Sequence, residues 1–282
     1  DSSVQWIQDN KMLVSGDKTK LLVIGTRGLK LSRLEDRVLR VTVGGNIVEE
    51  TKDEKLLGIL MSNNYSWNSH LYGNGKTGKD KVMGLIPKLS QRVGMLGKLN
   101  KYMTRDQFSM TSDGIFTSCL LYCLPLFSNV WGLPSMDDSV RRFQTFTKED
   151  CRKLQVLQNK VLRMKTGNYV MNAPTNDLLD ATGDLSVHQL GAHHTIVTAH
   201  RIIRTGQPKY LADKLMLRTP GPRHVNTISV NCELTVSRSG FIYRAGKLWN
   251  LLPSPIRDIQ KPEVFKVNVQ KWIRENVPRK PP

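Results

Sequence analysis

The sequence predicts an α+β protein, with a small antiparallel sheet at the front and a mainly helical remainder. Three observations carry this. Within residues 1–62, short apolar runs of strand length alternate with Gly-rich turns. After Asn63-Asn64 apolar residues recur at three- and four-residue steps, as an amphipathic helix requires. A chain of 282 residues that is 39% hydrophobic and 23% charged has the proportions of a folded protein and can bury a real core.

The elements follow in order. Val4, Trp6 and Ile7 mark a short helix ending near Asn10 or Gly16. Residues 21–24 form a continuous apolar run read as a strand, closed by Gly25. Leu39, Val41 and Val43 alternate with Arg40 and Thr42 as a half-buried strand. Gly44-Gly45-Asn46 then turns the chain back into Ile47-Val48, because these residues accept positive φ. Residues 56–61 read as a further strand.

Beyond them, Gly73-Asn74-Gly75-Lys76-Thr77-Gly78 reads as a flexible basic loop. Val82, Leu85, Ile86, Leu89, Val93, Leu96 and Leu99 form one helical stripe. Residues 105–124 make a second helix, stopped by Pro125. Leu154, Leu157, Val161 and Met164 define a third, flanked by Lys153, Lys160, Arg163 and Lys165 and ended by Gly167. A fourth spans 185–204, with Gly206 and Pro208 after it.

Thr219-Pro220-Gly221-Pro222 is the strongest linker signal, and residues 228–236 alternate as a strand. Residues 241–251 read as a helix bounded by Pro253 and Pro255. Pro262 opens a last helix carrying Phe265, Val269, Trp272 and Ile273, although Phe265, Val267 and Val269 also alternate and leave a strand open. Trp249 and Trp272 are expected in the core, and residues 278–282 are expected to fray.

Net charge is +18 with a pI near 9.9, which favours polyanions, and nucleic acid over membrane. The charge is uneven: residues 1–150 carry 21 Lys/Arg against 16 Asp/Glu, residues 151–282 carry 21 against 8. The most apolar stretch, 115–127, is short of the roughly 20 residues of a bilayer span and is interrupted by Pro125, so it is read as a core helix. Cys119, Cys123, Cys151 and Cys232 include no Cys-x-x-Cys pair. Cys119 and Cys123, four apart, would share a helix face as buried thiols, in keeping with a reducing intracellular compartment, nuclear or cytoplasmic. Starting at Asp1 rather than Met, the chain reads as a piece of something longer.

Enzyme motifs are weighed one by one. Gly75-Lys76-Thr77 lacks the Gly of a phosphate loop five positions earlier, where His70 stands, so an ATPase is rejected. That basic loop either touches a nucleic-acid backbone or is idle and solvated. His188, His193, His194 and His200 show no zinc spacing and read as ordinary helix and core histidines. Asp177, Asp180 and Asp184 could share a face, but solvation is the better account. Asp137-Asp138 reads as a helix cap. Aromatic and basic residues intermix at Trp67/His70, Tyr102/Arg105, Tyr243/Arg244/Lys247 and Trp272/Lys271/Arg274, a pattern that suits base stacking with phosphate contact.

The order of several pieces carries a resemblance. Trp6, Asn10-Lys11-Met12-Leu13 and Asp17-Lys18-Thr19-Lys20-Leu21-Leu22-Val23-Ile24 are followed by a hairpin, Leu57-Gly58-Ile59 and Trp67-Asn68-Ser69-His70. Downstream come Lys88-Leu89-Ser90-Gln91-Arg92-Val93-Gly94-Met95-Leu96, Cys119-Leu120-Leu121-Tyr122, Trp131-Gly132, Leu154-Gln155-Val156-Leu157-Gln158-Asn159-Lys160, and the block from Phe241 to Pro253. Nearly end to end, this resembles the reverse transcriptase of non-LTR (LINE-type) retrotransposons of the jockey group, from just after its paired catalytic aspartates.

The resemblance implies the end of the palm at 1–62, a helical thumb and connector at 63–215 and a basic C-terminal region at 216–282. Lys18, with Thr19, would lie near the incoming nucleotide's phosphates. Leu56-Leu57-Gly58 would be the primer grip, a tight apolar turn that positions the 3′ end. Lys76, Lys79, Lys81, Arg92, Lys153, Lys160 and Arg163 would hold template and primer by their phosphates. No Tyr/Phe-x-Asp-Asp occurs, so this chain alone is expected not to polymerise. The parent would need Mg, the upstream palm and fingers, and RNA and DNA as partners. The other function open at this stage is a repurposed, non-catalytic nucleic-acid-binding module.

Overall fold

The computed structural model describes residues 2–13, 15, 18–25, 40–43, 45–64, 66–78, 81–133, 146–170, 173–218, 226–230 and 240–282. Gly16-Asp17, Lys79, Asp137-Asp138, the linker at 219–222 and the strand expected over 231–236 lie outside the described residues. The fold is α+β, with two small antiparallel sheets and many helices. Its contacts separate two compact units, Asp1–Leu85 and Ile86–Pro282.

The first unit opens with α1 (Ser2–Asp9), as expected, closed by the Asn10 amide donating to the Trp6 carbonyl at 2.8 Å. β1 (Arg40–Val43) and β2 (Asn46–Glu49) pair antiparallel, with Val43 opposite Asn46. The connection includes Gly45, which has φ +82°. The alternation overstated burial: of these two strands only Val48 is buried, and Ile47 is 70% exposed.

Two strand expectations need correction. Residues 21–24 form no strand: Leu21 makes one parallel bridge to Glu50, and its carbonyl accepts from Thr51 N–H at 2.8 Å. Gly25 N–H donates to the Asn63 carbonyl at 3.0 Å, so the segment is tied at both ends without a ladder between. Residues 56–61 are not one strand but a reversal, β3 (Asp53–Leu56) pairing with β4 (Ile59–Ser62), with Leu56 opposite Ile59. Apolar composition hid the turn, because Leu57-Gly58 has only one residue suited to positive φ.

The unit continues past residue 62 because α2 (Asn68–Tyr72) is bonded to the second hairpin. His70 Nδ1 accepts from Leu60 N–H at 3.4 Å, and the Ser69 hydroxyl donates to Asp53 at 2.8 Å. A Cβ at Gly84 would sit 2.4 Å from the Tyr72 carbonyl carbon and the Gly73 nitrogen, so only glycine lets these backbones pass.

The second unit is helical. α3 (Leu85–Leu99) begins later than the stripe from Val82 suggested, since Met83 is engaged in a bridge with Gly73. The helix expected over 105–124 is broken into pieces. α4 (Arg105–Ser112) carries a Thr104/Gln107 capping box and runs into a π-turn at Asp113–Thr117, then α5 (Ser118–Leu121). The chain leaves helical geometry at Tyr122 and Cys123, where φ is +58°, and restarts as α6 (Leu124–Phe127). Pro125 thus sits in the first turn of a helix rather than ending one, where its missing N–H costs nothing. The break also means that Cys119 and Cys123 do not share one continuous helix.

Among the described residues, the run Arg105–Phe127 is long and apolar enough to cross a membrane by length and composition. Phe116, Leu120, Leu124 and Phe127 within it are buried in the fold.

α7 (Lys148–Thr166) starts at a Thr147/Asp150 capping box and ends at left-handed Gly167. α8 (Thr175–Thr182) was not foreseen; α9 (Val187–Thr205) was, with Gly206 as its cap. After α10 (Lys209–Ala212) come α11 (Phe241–Leu251), α12 (Ser254–Arg257) and α13 (Pro262–Asn276), the last a helix and not the alternative strand.

α9 is the axis of the core. Its Ala192, Ile196, Ala199 and Ile202 pack with Ala245, Leu248 and Trp249 of α11 and with Phe265, Val269 and Ile273 of α13. Residues 241–277 therefore share one core with α9 rather than forming a separate region. The His200 ring stacks on Phe265 at 3.8 Å, and Trp249 lies 5.8 Å from the same ring. Trp249 is buried as expected, while Trp272 is half-buried. A Cβ at Gly246 would fall 2.6 Å from a Val230 methyl, so the glycine admits that neighbour.

The buried Arg244 of α11 donates to the carbonyls of Pro125 at 2.8 Å and Leu126 at 3.0 Å, and to Asn129 Oδ1 at 3.1 Å. Arg244→Met strips three oxygens, one of them buried, of their donor. At about 1 kcal/mol for each such bond, the loss of stability is about 2–3 kcal/mol. A urea titration that shows less than about 1 kcal/mol would mean the carbonyls find other donors.

Candidate nucleic-acid interface

The expected nucleic-acid residues fall on each unit separately. In the first, Lys18 and Thr19 belong to a turn: the Ser15 carbonyl accepts from Lys18 N–H at 3.2 Å and from Thr19 N–H at 3.0 Å. The Thr19 hydroxyl donates to the same carbonyl at 2.8 Å, so it closes the turn instead of standing ready for a phosphate. The Lys18 side chain is exposed.

Leu56-Leu57-Gly58 forms the tip of the β3–β4 hairpin. Leu57 has φ +47° and Gly58 φ +87°, the sign pattern of a type I′ turn. Leu56 is 58% and Leu57 83% exposed. A leucine in the left-handed region costs roughly 1–2 kcal/mol, and an exposed one recovers none of that by burial.

The loop around Lys76 and Lys81 is ordered by Asn74. Its side-chain oxygen accepts from Lys76 N–H at 3.3 Å and from Val82 N–H at 3.0 Å, while its backbone N–H donates to the Val82 carbonyl at 3.2 Å. Lys81 N–H donates to the Gly78 carbonyl at 3.3 Å. The loop expected to be flexible is therefore a closed basic loop with exposed Lys76 and Lys81 side chains. Lys79 lies outside the described residues.

In the second unit, Arg92 is half-buried and its guanidinium donates to the Ile115 carbonyl of the π-turn. A π-turn loosens a backbone carbonyl from the ordinary ladder, and Arg92 takes it up. Its first role is to join α3 to that turn. Lys153, Lys160 and Arg163 are brought near one another along α7 by steps of seven and three, beside exposed Val156; Lys160 is exposed, while Lys153 and Arg163 are half-buried. The inward face buries Leu154, Leu157, Val161 and Leu162.

The charge divides unevenly between the units. Residues 1–85 carry 13 Lys/Arg against 10 Asp/Glu, and residues 86–282 carry 29 against 14. Several acids of the second unit are engaged. Lys165, only 8% exposed, sits between Asp113 at 2.8 Å and Asp184 at 3.2 Å. Asp180 is gripped by Arg279, which holds its carboxyl below the usual range. Asp180 and Asp184 thus serve cationic partners. Among the described residues no three His, Cys, Asp or Glu side chains are placed to share a metal ion.

Sequence reasoning missed a groove of about 900 Å³ along the first turns of α7, the start of α8 and residues 278–282. The tail does not fray. Pro278 accepts from His188 at 2.7 Å, Gln189 donates to the Val277 carbonyl at 2.9 Å, and Lys148 donates to the Pro282 carbonyl. No periodicity marks a docked proline-rich tail; the only hint was the apolar Val277 that precedes it.

The histidines are core residues, as read. His188 Nε2 accepts from Trp131 N–H at 2.9 Å, which leaves Nδ1 as the donor to Pro278. His193 and His200 reach the carbonyls of Lys266 and Ile259. Burial lowers the pKa of all three, and it pushes His194 down to about 4 with help from nearby His193 and Lys266.

No family model, curated protein or solved structure matches the chain.

Because these imidazoles are neutral in the fold and titrate near 6.5 when unfolded, their contribution is intact above that pH. It is lost as pH falls from about 6.5 toward the depressed folded values, about 4 for His194. The urea midpoint of the second unit should therefore drop between pH 7 and pH 5. His188→Gln should flatten that drop, and an unchanged slope would show that folding does not shift the His188 pKa.

Proposed function

We propose that this chain is the primer- and template-gripping C-terminal part of an RNA-directed DNA polymerase of the non-LTR retrotransposon kind. It would work with an upstream palm and fingers that supply the Mg-binding carboxylates. The observation that carries the reading is the hairpin tip. A leucine with φ +47° and 83% exposure is a strained apolar residue offered to solvent. Folding alone is better served by asparagine there, because Asn-Gly suits both positive φ angles. A primer terminus is a partner for such a tip, because its last base pair presents an apolar face. The basic face of α7 supports the reading by offering phosphate contacts away from the tip.

A second reading, a binding module with no part in polymerisation, is favoured by the charge, most of which lies in the second unit. The two differ in whether the chain recognises a 3′ end.

Leu57→Asn should stabilise the first unit by about 1 kcal/mol through relief of left-handed strain. The same change should abolish any preference for an RNA–DNA hybrid with a recessed 3′ end over a blunt hybrid of equal charge. Joined to the upstream palm and fingers, the variant should also extend primers more slowly. Equal extension by both proteins sinks the primer-grip role. Equal binding of both hybrids by the unaltered chain leaves only the binding module, and no binding at low salt removes both readings.

A further inference from the structure

The groove beside α7 is a feature that the primer-grip reading does not use. Its cationic lining is Lys148, Arg152, Arg279 and Lys280, against one carboxylate, Glu149. Arg152 pairs with Glu149 at 2.7 Å across an exposed bridge and Arg279 pairs with Asp180, so these two guanidiniums are oriented by carboxylates beside the groove.

The polar floor offers donors. Asn159 donates to the Thr175 hydroxyl oxygen at 2.8 Å, and this leaves the Thr175 O–H and one Asn159 N–H without a partner among the described residues. Between these lie the apolar faces of Val156, Pro174, Pro278 and Pro281. A lining of cations and spare donors, interleaved with flat apolar surface, fits a ligand that is anionic, rich in acceptors and partly apolar.

We propose that this groove binds an unpaired stretch of nucleic acid. The inference rests on the nucleic-acid reading above and adds a second, distinct contact to it. A duplex shows only its phosphate rim to a concave surface, whereas an unpaired strand can turn its bases inward toward the prolines and its phosphates toward the cations. A volume of about 900 Å³ lies within the range of about 300–1,000 Å³ that small-ligand sites occupy, and it suits a short stretch of such a strand. Arg152 and Val156 belong both to the groove and to the outward face of α7 that carries Lys160 and Arg163. The strand thus leaves the groove directly onto the face that would hold paired phosphates, an order that fits template entering a hybrid.

The test compares two double variants of the whole chain by fluorescence anisotropy, with thermal melts as a check on folding. The probes are a labelled oligouridylate and a blunt RNA–DNA hybrid. Lys148→Ala with Lys280→Ala should weaken oligouridylate binding about tenfold and lower its salt slope by about 1.4, while hybrid binding changes less than about twofold. Lys160→Ala with Arg163→Ala should weaken the hybrid instead. Photocrosslinks from thiouridine-bearing oligouridylate should map to residues 148–159 and 278–282. If the groove variant folds and binds oligouridylate as well as the parent, or the crosslinks fall elsewhere, the groove is not the site. The nucleic-acid reading would still stand on the hybrid. A polyglutamate peptide that binds the groove as tightly as the oligonucleotide would overturn the assignment to nucleic acid. Failure of the unaltered chain to bind either probe removes the underlying reading itself.

Discussion

The helical unit is held together at one guanidinium. Arg244 reaches from α11 to the last carbonyls of α6 and to the Asn129 side chain. Complete burial pushes its pKa down to about 10, so it remains a cation at neutral pH. A buried cation is costly, and a helix C-terminus offsets that cost with oxygens of the right dipole for the terminal guanidinium nitrogens. α6 and α11 both pack on α9, so the contact fixes three helices at once. This explains why a four-residue helix started by Pro125 can exist at all: its end is capped by a side chain more than a hundred residues away. The constraint is one of specificity as much as strength, because a helix register that moved the carbonyls would strand the charge.

What could be read from the chain and what could not divide along physical lines. Periodicity with a closing glycine located α7, ended at Gly167, and α9, ended at Gly206, although the Thr147 start of α7 lies ahead of its apolar stripe. It failed where backbone geometry departs from the regular element. The π-turn at Asp113–Thr117 preserves apolar character while shifting the helix phase, and left-handed Cys123 carries no sequence signal because cysteine does not favour that region. Leu57 is the same case in a hairpin. The run over 56–61 looked like a strand because its turn was built from a leucine. The tail at 278–282 was illegible for another reason. Its docking depends on His188, Lys148 and Asp180, partners separated from it by about a hundred residues or more.

For the candidate site, residue type was a better guide than residue role. Arg92 was expected to hold a phosphate, yet it is committed to the π-turn, and Lys165, flanking the same basic helix, is committed to two aspartates. In a chain with 42 Lys/Arg and 24 Asp/Glu, a large share of the cations must serve the fold, and the sequence does not label which. Helical spacing does discriminate. On α7, Lys160 is exposed away from the buried stripe, whereas Lys153 and Arg163 are half-buried. The same reasoning separates the histidines: four on one helix suggest a site by count, but each of the ring nitrogens that is bonded meets a backbone group.

The hairpin tip and the groove ask different things of the chain. At the tip, strain is kept in a two-stranded sheet, an element of marginal stability on its own. The β3–β4 hairpin tolerates Leu57 because its base is secured elsewhere, by Ser69 on Asp53 and by His70 on Leu60. Groove and basic face, by contrast, are built on a nineteen-residue helix with a full capping box, where no strain is stored. Under the proposed role, a surface that grips a strand gains from a rigid helix, because it loses little freedom on binding. Under the same proposal, a tip that meets a chain end gains from an apolar group that cannot retreat into its own fold. Left-handed geometry at Leu57 provides that: it points a hydrophobic side chain outward from a turn too tight to take it back.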